Sequence, residues 1–138
     1  MLRSIGAVAA GYAAMVALVM LGTFALAAVL VPGGSATMRQ RMRSGQPMSA
    51  PSSTYLASNI ALSLGAALVG GWVTLRIAPR SPAGHLGALC VVIVLMGVLS
   101  GRMPGSELQP GWYKFAIPLV GIVGVGLSIL LSPAGAMT

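Results

Sequence analysis

"SIGAVAAGYAAMVALVMLGTFALAAVLV", residues 4–31, runs for 28 positions without one Asp, Glu, Lys, Arg or His. A helix that crosses the hydrocarbon core of a bilayer needs roughly 20 apolar residues, about 17–25. This stretch is long enough to cross with tilt. In lipid no water is available to the backbone, so every N–H and C=O must be paired internally, and a helix does that within one segment. The stretch therefore predicts a transmembrane helix.

The rest of the chain carries the same signal. Of 138 residues, 57% are hydrophobic and 7% are charged, and the mean hydropathy is +0.93. A soluble domain carries about 25% charged residues, so water cannot be the solvent for most of this surface. Three further apolar stretches follow the first. They predict helices over residues 54–77, 83–101 and 112–132, beside 4–31 for the first, with a polar loop over 32–53. Proline, glycine or arginine punctuates each end, at Pro32-Gly33-Gly34, Pro79, Arg102 and Pro133. The expected fold is all-α, one integral membrane domain over 1–138 with four transmembrane helices in an up-down bundle. Arg3 and Ala25-Leu26-Ala27 imitate a signal peptide and its cleavage site. The apolar run is longer than a signal core and continues through Val31, so the first helix is expected to be retained.

Small residues recur at four-residue spacing on these helices. The candidate packing positions are Gly6, Ala10 and Ala14, then Gly65, Gly70 and Gly71, then Gly97 and Gly101, then Gly124. Such rows let helix backbones approach closely where lipid removes the hydrophobic driving force. With 19 glycines, several rows also arise by composition alone. Tyr55, Trp72, Trp112, Tyr113 and Lys114 fall near helix ends, where aromatic and basic side chains anchor a span in the headgroup region. Pro118 is expected to bend the fourth helix. Asn59, the most polar side chain within a span, is expected to bridge two helices.

The loop "TMRQRMRSGQPMSAP", residues 37–51, gathers Arg39, Arg41 and Arg43. The net charge of +7 does not indicate nucleic acid, because no aromatic residues interleave with the basic ones and they line no single helix. Basic residues flanking apolar spans suit anionic lipid headgroups. With alternating helices, one face carries Arg39, Arg41, Arg43, Arg102 and Lys114, five in all; the other carries Arg3, Arg76 and Arg80, three in all. The count favours the first face as cytoplasmic, whereas Arg3 before the first helix favours cytoplasmic termini. The reading adopted is cytoplasmic termini. The arginine cluster then lies on the far side and is a candidate contact for a partner or for lipid.

Residues for chemistry are few. The chain has one His, one Cys and one acid: His85, Cys90 and Glu107. Metal sites need several converging ligands, and His85 and Cys90 are five apart on one helix, facing different ways. Met38, Met42 and Met48 are read as interfacial apolar contacts rather than thioether ligands. Cys90 has no base beside it in sequence to activate it. No metal, cofactor or catalytic residue is expected, and no enzyme activity. The size and helix count invite comparison with the small multidrug resistance transporters, which depend on a glutamate in the first helix. The first helix here has none, so proton-coupled antiport is disfavoured.

The opening "MLRSIGAVAAGYAAMVALVM" and the stretch "GAALVGGWVTLRIAP", residues 65–79, resemble small four-helix bacterial membrane proteins of no assigned function. The resemblance implies a bacterial cytoplasmic membrane and carries no activity with it. The expectation is a non-catalytic membrane protein that acts by helix and loop contacts. It would be an accessory or structural subunit of a larger membrane complex, for example one of respiratory or photosynthetic type, with lipids and other membrane proteins, or itself, as partners. The alternative is a small homo-oligomeric transporter or channel for a neutral or anionic solute.

Overall fold

The computed structural model describes residues 2–30, 36, 39–40, 43–44, 52–78, 82–102, 106 and 109–131. Four helices make up nearly all of this: α1 (Leu2–Leu30), α2 (Ser53–Ile77), α3 (Pro82–Ser100) and α4 (Gly111–Leu127), the last running on into a 3₁₀ turn, Ser128–Leu131. Each is long and apolar enough to cross a membrane, α4 with its 3₁₀ extension.

Local chemistry sets the helix ends. The Ser52 hydroxyl accepts from the Tyr55 N–H at 3.2 Å and caps α2. At the other end the Ala78 N–H still reaches the Thr74 carbonyl, but its backbone has turned extended, as sterics require of a residue before proline. Pro82 opens α3 at the position where a missing N–H costs nothing. The α3 chain ends with the Arg102 N–H on the Leu99 carbonyl at 3.0 Å, a tightened last turn.

Small residues make up much of the interior, and many large apolar ones lie on the exterior. Ala7, Ala27, Ala66, Ala67, Gly70, Gly71, Ser63, Thr74 and Ser128 are buried, whereas Val29, Phe115 and Leu130 are 81%, 74% and 78% exposed. A soluble domain has the reverse arrangement. Small interior residues are how helices pack in lipid, where close backbone contact replaces hydrophobic burial. A modest apolar cluster of Leu75, Leu86, Leu89, Ile93 and Val125 joins α2, α3 and α4.

α2 is the hub, packed most extensively against α1 and next against α4. Gly11 and Gly22 of α1 meet Thr74 and Leu62 of α2. On its other side, Ala67 and Gly71 of α2 meet Gly124 and Ser128. α4 in turn packs on α3, Pro118 against Gly97 and Gly121 against Ile93.

The polar loop expected over 32–53 differs in one respect. Its described residues Ala36, Arg39, Gln40, Arg43 and Ser44 are helical. Ala, Arg and Gln are good helix formers.

Candidate functional site

Towards the end of the bundle where α2 and α4 begin lies a polar junction. Asn59 of α2 donates from Nδ2 to the Tyr113 hydroxyl of α4, and Oδ1 accepts from Thr23 Oγ1 of α1 at 3.4 Å. One amide thus ties three helices, one more than the sequence suggests. A turn further along α2, Ser63 Oγ donates back to the Asn59 carbonyl at 2.8 Å. Tyr113 is 3% exposed. At the start of α4 its ring is turned into the bundle, edge-on to Trp112 at 5.7 Å, and its hydroxyl faces Asn59. The adjacent Trp112 is the exposed member of the pair, at 58%.

Other interior hydroxyls bond to their own helices. Thr74 Oγ1 donates to the Gly70 carbonyl at 2.9 Å, and Ser128 Oγ to the Val125 carbonyl at 2.6 Å. Both are fully buried at helix crossings. Their short side chains satisfy themselves locally, and their hydroxyl oxygens lie closest to Gly11 and Gly71 of the facing helices.

The glycines divide into two groups. A Cβ on Gly70 would lie 2.8 Å from the Gly11 carbonyl oxygen. One on Gly71 would lie 3.2 Å from Val125 Cα and would also strike Ser128. The adjacent pair therefore seats α1 and α4 on two different faces of α2. Gly124 is as tight, 2.7 Å from the Leu64 carbonyl oxygen, and Gly97 would meet Pro118 Cγ at 2.5 Å. Gly6 and Gly65, expected among the packing residues, instead face open space. Gly101 touches only carbonyls of its own last turn, at 3.5 Å. Ala10 and Ala14 are half-buried. Gly11, Gly22 and Gly121, not singled out from the sequence, make close crossings. Gly11 and Gly22 are 11 apart, three helical turns, so they share a face; that spacing was the available signal.

Of the expected anchors, Tyr55 and Lys114 are half-buried. Trp72 is 36% exposed, with the Arg76 guanidinium carbon 5.0 Å from its ring centroid, a cation–π pair. Arg39 and Arg43 are exposed; Arg41 and Glu107 lie outside the described residues.

Two cavities follow the seam between α1 and α3. The first, about 480 Å³, is bounded by α1, α3 and α4 with Asn59 and Ser63 at its back. One end is polar, with Ser100, Ser106, Gln109 and Lys114; the other is apolar, with Met15, Val19, Ile93 and Ile117. Pro118 also lines it and has no N–H to give the Lys114 carbonyl one turn earlier. The second cavity, about 580 Å³ and nearly all apolar, lies between the first halves of α1 and α3, from Ile5 and Val8 to His85 and Val92. Tyr12 borders both. Among the described residues no three of His, Cys, Asp and Glu converge on one point. No protein family, curated protein or solved structure matches the chain.

Proposed function

We propose that the chain is a multi-pass protein of the bacterial cytoplasmic membrane that acts by contact, as a non-catalytic accessory or structural subunit of a larger membrane complex. In this reading the four helices alternate direction across the bilayer and the termini are cytoplasmic. The order of the contact pairs supports the alternation: Gly11 with Thr74 and Thr23 with Asn59, then Gly97 with Pro118 and Ile93 with Gly121. The observation that carries the functional reading is the use made of the interior polar groups. Thr23, Asn59, Ser63, Thr74, Tyr113 and Ser128 are engaged with each other or with helix carbonyls. Thr23, Asn59 and Tyr113 join three helices, while Ser63, Thr74 and Ser128 satisfy themselves on carbonyls of their own helices, which supports a role in packing. The large apolar side chains lie outside, where lipid or another membrane protein would cover them.

The test is extraction from native membranes in mild detergent, native sizing, and identification of whatever co-migrates. Stoichiometric migration with larger proteins is the expected result. Migration alone would remove the subunit reading.

A second reading, a small homo-oligomeric transporter or channel for a neutral or anionic solute, draws on the two cavities that meet at Tyr12. Solute flux in proteoliposomes that rises when Tyr12 is replaced by Ala would favour it over the contact reading.

A further inference from the structure

The cavity between α1, α3 and α4 has a polar mouth and an apolar shaft. Ser106, Gln109 and Lys114 stand at the mouth, where α3 ends and α4 begins; Val19, Ile93 and Ile117 line the shaft. Its volume of about 480 Å³ is within the range of ligand sites, about 300–1,000 Å³. Apolar lining exceeds polar, as such sites require, and the polar groups are gathered at one end. Lys114 is the only charged side chain among the described residues that line it. The one acid of the chain, Glu107, lies outside the described residues.

We propose that this cleft binds an anionic phospholipid. The inference rests on the membrane placement above and is independent of the subunit reading. The phosphate lies against the Lys114 ammonium at the helix ends, the depth at which headgroups lie. The Gln109 side-chain amide and the Tyr113 hydroxyl, which accepts from Asn59 and keeps its own proton, supply donors. One acyl chain lies along Val19, Ile93 and Ile117 towards mid-span. The charge selects the headgroup, and the length of the shaft selects a chain over a compact soluble anion.

The test uses the full chain, purified in mild detergent and supplied with palmitoyl-oleoyl phosphatidylglycerol or the matching phosphatidylcholine, with retained lipid read by native mass spectrometry. Alkaline carbonate extraction comes first. Release of the protein there would overturn the membrane placement itself, before any statement about the cleft. For the wild type, phosphatidylglycerol is retained in preference to phosphatidylcholine. Lys114→Gln lowers phosphatidylglycerol retention about fivefold, the weight of one basic side chain at a membrane surface, and leaves phosphatidylcholine unchanged; Lys114→Arg keeps the preference. Val19→Phe, which fills the shaft, lowers retention of both. Arg39→Gln with Arg43→Gln, at a separate candidate headgroup contact, lowers phosphatidylglycerol retention less than Lys114→Gln does. The proposal is overturned by equal retention of the two lipids, by loss in the Arg39/Arg43 variant in place of Lys114→Gln, or by unchanged retention in Val19→Phe. Displacement of the bound lipid by an uncharged quinone, with Lys114→Gln behaving as wild type, would also overturn it.

Discussion

The Asn59 side-chain amide on α2 donates to the Tyr113 hydroxyl on α4, while its oxygen accepts from Thr23 on α1. A side-chain hydrogen bond between membrane helices is worth about 0.6 kcal/mol on average and about 1.7 at most. Tyr113→Phe and Asn59→Ala should each lower stability by an amount in that range, read by denaturing-detergent titration in mixed micelles. Because the two groups share one bond, the double variant should lose less than the sum of the singles. Strict additivity would mean that the bond contributes nothing.

Gly124 and Gly65 make a matched pair for testing how the bundle is held. A methyl group on Gly124 meets backbone, the Leu64 carbonyl oxygen at 2.7 Å and the Leu68 nitrogen at 3.2 Å, which cannot swing aside. Overpacking of this kind costs about 1–3 kcal/mol. Gly65 has nothing within 4 Å of the same methyl, so Gly65→Ala should gain about 0.5–1 kcal/mol from the helix preference of alanine. The unfolding midpoint should therefore fall for Gly124→Ala and hold or rise for Gly65→Ala. The same sign in both would contradict the assigned packing faces.

That contrast also marks what the sequence could disclose. The four helices were legible because residues 4–31 and their three successors are too apolar for water and long enough for a membrane. Which glycine faces which helix was not. A four-residue spacing identifies a stripe, but only the neighbour's backbone decides whether the stripe is covered, so Gly6 and Gly65 fitted the pattern as well as Gly70 and Gly124. Tyr113 is a related case. Its place at the start of an apolar run suits an interface aromatic, and nothing near it in sequence shows that its hydroxyl meets Asn59, 54 residues earlier. The cleft was not legible at all, since residues from all four helices line it.

Arg39 and Arg43 are exposed. Replacing Arg39, Arg41 and Arg43 together with Ala should leave the stability of the isolated protein within about 0.5 kcal/mol of wild type, as surface changes usually do. In native membranes the same variant should lose co-migration with larger proteins. A variant that stayed fully assembled would remove these arginines as a docking site, and one that unfolded in isolation would assign them to the fold.

Gly97 and Pro118 should compensate each other. A Cβ on Gly97 lies 2.5 Å from Pro118 Cγ and 3.3 Å from Pro118 Cβ, so Gly97→Ala drives α3 away from α4 at a crossing beside the cleft. The obstacle is the far edge of the proline ring, and alanine at 118 removes it. Pro118→Ala also restores an N–H that can bond the Lys114 carbonyl. Gly97→Ala alone should destabilise by about 1–3 kcal/mol, the usual cost of overpacking. In the Pro118→Ala background the same change should cost well under half as much, a coupling that contacting residues produce and distant ones do not. The pair of titrations, each variant against its own parent, reads this directly. An equal loss in both backgrounds would mean that Gly97 is held by something other than the proline ring, and that α3 and α4 do not meet at this crossing.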